Sequence, residues 1–177
     1  MTASKKEPPT KEPPRPEGSV ESMTEADDGV ELTVRLRNPL DRALHYIADV
    51  RGMIFDPATR RLRVQLSDQG RELPPGGVLM LPRFRTIDPH SEAVMKVRLP
   101  KTILKLASTP SPTGEVVFQE HAVADADEIE LDIGWSDTPF YPDPRDKSRA
   151  TPPVEAWEKE SLRTVFIPPK RDEKPYK

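Results

Sequence analysis

Apolar and polar residues alternate with a period of two in one short run after another, and proline, glycine or aspartate closes each run. In "VELTVRLRNP" Val30, Leu32, Val34 and Leu36 fall on one phase, and Glu31, Thr33, Arg35 and Arg37 on the other. A helix would scatter these residues around its circumference. An extended strand gathers each set on one face, so the run predicts a half-buried β-strand. Asn38-Pro39 ends it, because proline has no amide proton to give to a ladder.

The pattern repeats. Leu44, Tyr46, Ala48 and Val50 continue an alternating set as far as Ile54, and "DPATRR" at Asp56–Arg61 turns the chain into Leu62, Val64 and Leu66. "LPPGG" at Leu73–Gly77 leads into a strand over Val78–Thr86. "DPHS" at Asp88–Ser91 breaks that strand before Met95, Val97 and Leu99. "TILKL" follows Pro100, then a proline-rich loop at Ser108–Thr113 and a strand at Glu115–His121. Ile129, Leu131, Ile133 and Trp135 close the series, alternating with Glu128, Glu130 and Asp132. Seven or eight short strands with a turn signal after each predict an all-β fold, a single antiparallel β-sandwich.

The succession of an alternating strand, "NPLDRAL", a second strand, "FDPATRRL", "LPPGG" and "IDPHS" before a strand ending in "VRLP" resembles an immunoglobulin-like or fibronectin-like sandwich. The resemblance spans Gly29–Ser136, close to the ~100 residues usual for such a domain. It implies a binding, inhibitor or chaperone-like module. The cysteine pair and core tryptophan of antibody domains are missing from the expected places, so the resemblance carries no binding residues with it.

Outside residues 29–136 the composition shifts. Residues 1–28 carry "KEPP" twice, at Lys6–Pro9 and Lys11–Pro14, and almost no large apolar side chain, so a disordered, extended tail is expected there. Such a segment is a docking motif for an aromatic groove or a solubilising leader. Residues 137–177 read as a proline-rich arm: a short helix in "VEAWEKES", with Glu155 and Lys159 spaced for an i,i+4 pair, then a strand at Leu162–Ile167. The N-terminus has no apolar core of a secretory signal, and no apolar run approaches membrane-spanning length, so a soluble, cytoplasmic protein is expected.

Chemistry is sparsely marked. With no cysteine, thiolate sites and disulfides are excluded, and neither G-x-S-x-G nor a glycine-rich phosphate loop occurs. His45, His90 and His121 lie far apart without metal-ligand spacing, and no catalytic residue, metal or cofactor is assigned. "DADEIELD" at Asp125–Asp132 reads either as a calcium-binding edge or as a solvated acidic strand paired across to basic neighbours; the second reading is preferred. Arg35, Arg37, Arg61, Arg63, Lys96 and Arg98 all fall on polar phases. They form either a basic face for an anionic partner or the partners of those acids. Without interleaved aromatics, nucleic acid is the lesser reading.

The candidate partner-binding residues are apolar. Trp135, Phe140 and Tyr141 cap the end of the sandwich or form a rim for a partner. In the arm, Leu162 and Phe166 share one phase and Val165 and Ile167 the other, as in a strand covered on two sides; a neighbouring subunit is slightly favoured over the arm's own domain as its cover. The expected role is therefore non-enzymatic: an interaction or structural subunit that docks a protein partner or sister subunit within a larger assembly, without a membrane. A small inhibitor or chaperone-like module, and an enzyme with an unmarked metal-dependent or hydrolytic site, are the alternatives.

Overall fold

A computed structural model describes residues 13–70, 80–106, 113–114, 117–141, 144–146, 148 and 150–169. The chain is all-β. Its first sheet holds β1 (Glu17–Ala26), β2 (Gly29–Arg37) and β7 (Glu92–Pro100) in the order β1-β2-β7, antiparallel throughout. The second sheet contains β3 (Leu44–Ile47), β4 (Gly52–Asp56), β5 (Arg61–Leu66), β6 (Phe84–Ile87) and β10 (Glu128–Ser136) in the order β4-β5-β10-β3-β6, and β11 (Glu160–Phe166) pairs along β10. β8 (Thr102–Leu106) and β9 (Phe118–Ala122) form a separate hairpin. The sheets are not closed into a barrel.

The alternation in β2 does what its pattern requires. Val30, Leu32, Val34 and Leu36 are buried, and with Met95, Val97 and Leu99 of β7 they face Leu62, Val64 and Leu66 of β5 and Ile129, Leu131 and Ile133 of β10 in one core. Removing each such side chain from water contributes ~1.5–3 kcal/mol before entropy is counted. At the start of β2, Gly29 faces the two-residue turn of the β1–β2 hairpin and lies against β7. A Cβ there would come 2.1 Å from the Leu99 carbonyl oxygen.

Strand β10 sits in the middle of its sheet. β5 runs parallel to it from Glu128 to Ile133, and β3 takes over the same edge at Trp135 and Ser136. β11 holds the other edge from Ile129 to Trp135. Pairing on both edges leaves only its faces to be covered, and the core on one side with Arg63, Arg163 and Glu158 on the other bury every residue of β10 from Ile129 to Ser136.

Three expectations are corrected. Residues 17–26, read as part of a disordered tail, form edge strand β1; residues 1–12 lie outside the described residues. The run from Leu44 to Ile54 is two strands, β3 and β4. Between them Asp49 turns its carboxylate to the backbone N–H and guanidinium of Arg83, both at 2.7 Å, and the chain leaves the ladder to make that contact. The strands expected at Val78–Thr86 and Glu115–His121 are present as β6 and β9 with later starts; 71–79, 107–112 and 115–116 lie outside the described residues, and the turn at Leu73–Gly77 with them. The body of the fold therefore runs from β1 to β11, beyond both ends of residues 29–136.

Candidate interaction surfaces

The C-terminal arm is built into its own sheet. Helix α1 (Val154–Trp157) is one turn that drops Val154 and Trp157 into a small second core with Ile47 and Phe140. Phe84 packs against it, with ring centroids 4.5 Å from Phe140 and 4.9 Å from Trp157, and the Trp157 indole N–H donates to the Thr138 carbonyl at 2.7 Å. Of the aromatic trio read from sequence, Trp135 belongs to the main core, Phe140 to this second core, and Tyr141 alone is exposed, 59 %, edge-on to Phe84 and Phe140. Trp157 and Phe84, which complete the cluster, were missed; the apolar pair Val154 and Trp157, three apart in "VEAWEKES", was the available signal.

β11 turns Leu162 and Phe166 onto the main core and buries Thr164 between them, while Val165 and Ile167 are exposed. The preference for a neighbouring subunit as the cover of this strand is corrected. β10 of the same chain supplies the pairing, and the apolar phase facing the core supplies the register.

The acidic strand is not a solvated face. Glu130 and Asp132 are buried on the outer face of β10 beneath arginines from both flanking strands. Arg63 reaches Asp132 at 2.5 Å, Arg163 reaches its other oxygen at 3.0 Å, and both lie 3.4 Å from Glu130. Arg61 pairs with Glu128 at 2.8 Å and Arg60 with Asp127 at 3.1 Å. The hydrogen bond that Arg163 donates to Asp132 holds its guanidinium above its ordinary value. Among the described residues no three His, Asp or Glu side chains gather to hold a metal ion.

Nor do the six basic candidates form one face. Arg61 and Arg63 stand on the outside of one sheet; Arg35, Arg37, Lys96 and Arg98 stand on the outside of the other, across the core. Each has an acid within reach. Arg35 bonds Glu21 at 2.5 Å and Glu92 at 3.0 Å, Arg37 lies 3.8 Å from Glu17, and Lys96 and Arg98 share Glu31 at 2.6 and 3.3 Å. The Lys96 hydrogen bond, with Arg98 beside it, keeps the Glu31 carboxyl below its usual range. Solvent screens exposed pairs of this kind, so they neutralise the surface more than they stabilise it.

The histidines are local. Burial lowers His45 against the pull of Asp137, and its Nδ1 lies 2.9 Å from Thr86 Oγ1. His90, at a φ of 53°, sets its Nε2 2.8 Å from Asp41. The His121 ring packs on Phe55 at 4.7 Å.

Among the described residues one buried carboxyl has no cation beside it. Glu158, which follows α1, is buried; it accepts the Ser67 hydroxyl at 2.5 Å and the Asp68 backbone N–H at 2.7 Å. Burial pushes it above the ordinary glutamate value, and these two donors only partly offset that. Asp68 is clasped by Arg51 at 2.8 and 3.1 Å. The neighbouring buried Asp137 differs: burial opposes its charge, but Lys159 at 2.5 Å and Arg42 outweigh it and hold the carboxyl low. An open cleft of about 680 Å³ runs past Phe140, Trp157 and Glu158. Apolar walls with one perturbed carboxyl are features of enzyme pockets, yet both Glu158 oxygens are committed to Ser67 and Asp68 and Lys159 is committed to Asp137.

The β8–β9 hairpin shows the reverse situation, apolar groups with no cover. One face leans on β4: Ile103 packs on the core, Lys105 donates to the Phe55 carbonyl at 3.2 Å, and His121 lies on the Phe55 ring. The pleat sends the alternate residues outward. Leu104, Leu106 and Phe118 are 66 %, 58 % and 59 % exposed, with Leu106 directly across from Phe118 in the ladder.

No helix among the described residues is long and apolar enough to cross a membrane. No family model, curated protein or solved structure matches the chain.

Proposed function

We propose that the chain is a non-enzymatic interaction subunit, an immunoglobulin-like β-sandwich module that docks into a larger protein assembly through the outer face of its β8–β9 hairpin. The observation that carries this reading is the cluster of Leu104, Leu106 and Phe118, three large apolar side chains more than half exposed on one face of one hairpin. Scattered apolar residues are ordinary on a surface, whereas a set gathered on one face of one element marks a contact that excludes water. The hairpin joins neither main sheet, so it also offers strand edges to a partner chain. An inhibitor or chaperone-like module would use the same surface in the same way.

Affinity capture from an extract of the source cells tests the reading, with the wild-type chain and a Leu104→Ser/Phe118→Ser variant as baits. Both side chains are exposed, so the variant should melt with the wild type. A partner retained in stoichiometric amount by the wild type and lost by the variant supports the proposal. A partner held equally by both places the docking surface elsewhere.

A further inference from the structure

A second open cleft, of about 610 Å³, lies where the chain enters the fold, and Pro13 and Pro14 line it together with Leu40 and Trp135. These two prolines are the end of the second "KEPP" copy; the first copy, Lys6–Pro9, lies outside the described residues. We propose that this cleft is a binding site for an extended Pro-Pro peptide, and that the chain covers it with its own Pro13–Pro14 step. A partner carrying such a step must displace the N-terminal segment to enter.

Three observations converge on this ligand. A proline step carries no amide proton and holds an extended left-handed form at little entropic cost, and such peptides seat on an aromatic flanked by apolar side chains. Trp135 and Leu40 supply those walls, and the described prolines already lie beside them. The rim suits the charges that accompany the repeat. Arg42 and Lys159 also line the cleft but are both paired with the buried Asp137, which leaves the exposed acids Asp41 and Glu160 beside Arg15 of the tail, and each "KEPP" places a lysine two residues before its prolines. The tie is weak by construction: Pro13, Pro14 and Arg15 are exposed, and only Pro16, next to β1, is buried. The proposal does not rest on the hairpin face, and either can fail alone.

The probe is the synthetic peptide SKKEPPT, residues 4–10 of this chain, and the reporter is the indole N–H resonance of Trp135. The chain has two tryptophans, and that of Trp157, tied to Thr138, serves as the control for an intact fold. A tethered segment acts at an effective concentration on the order of 1 mM, so the wild type should resist the peptide. Pro8→Ser/Pro9→Ser/Pro13→Ser/Pro14→Ser in the full chain removes both competing copies. This variant should show a saturable shift of Trp135 at a peptide concentration at least tenfold below that needed by the wild type, while Trp157 stays in place. Pro8→Ser/Pro9→Ser alone should behave as the wild type. Equal titration of wild type and the fourfold variant would overturn the covering role of Pro13–Pro14. No shift in either would overturn the site. Opening of the cleft by Pro8→Ser/Pro9→Ser alone would overturn the assignment of the second copy as the cover.

Discussion

The Glu158 carboxylate occupies the space that a side chain on Gly134 would need: a Cβ at Gly134 would lie 2.5 Å from the Glu158 carboxyl carbon. Gly134 is the one position of the buried outer face of β10 without a side chain, and the gap admits the arm's carboxyl to Ser67 and Asp68.

Gly134→Ala should therefore destabilise the fold by roughly 1–3 kcal/mol, as overpacking of a closed site does. The carboxyl can move only by giving up its two donors. In a Glu158→Ala background the same substitution should cost much less, and a double-mutant cycle from denaturant melts measures the coupling. Additive effects would show that the two residues do not compete for one space.

Glu158 also predicts a pH dependence. Its folded value is raised above 4.5, so the protonated form binds the folded site better than the charged one. The stabilisation is fully present below about pH 4.5 and is lost as pH rises through the folded value. Glu158→Gln keeps the shape and removes the charge. The stability of wild type relative to this variant should fall between pH 4.5 and 7. Glu31, Asp49, Asp56 and Asp137, all held low, act in the opposite direction in both proteins and cancel in the comparison. A flat difference across that range would rule out a charge penalty at Glu158.

Val34, Val64 and Ile133 are buried in the shared core, and truncation of each to alanine should destabilise by roughly 1–4 kcal/mol. Arg35→Ala, at an exposed and solvent-screened pair, should leave the unfolding midpoint close to that of the wild type. Equilibrium urea melts of the four variants check the register; a reversal of the two groups would displace every strand by one residue.

Amide hydrogen exchange on the dilute chain should show protection of β11 at the positions that bond to β10, comparable with that of β5. Free exchange of β11 in the isolated chain, with protection only after a partner is added, would return the arm to an intermolecular role.

What the sequence made legible follows from how many neighbours decide a residue's place. β2 was plain because one core and one solvent face sort Val30 to Arg37 by alternation alone. β1 was hidden by its own irregularity. Its two apolar residues that reach the core, Val20 and Met23, stand three apart, and a bulge between Val20 and Ser22 shifts the phase that brings both inward. Glu130 and Asp132 were misread because their burial comes from Arg63 and Arg163, one distant in each direction along the chain. The exposed hairpin face escaped notice for a related reason: the alternation in "TILKL" is apolar on both phases, so it cannot tell which one β4 covers.

The placement of β10 bears on how the chain is made. β5 and β3 are synthesised long before the strand that joins them, and β11 comes later still. During translation these two early edges wait for the one strand that spans both, and contacts across so much sequence close slowly. A nascent chain stopped before Glu128 would present the open edges of β5 and β3, each paired only on its other side, to the ribosome's surroundings. This fold is thus completed from its C-terminal third, and agents that shield strand edges would matter most just before that third emerges.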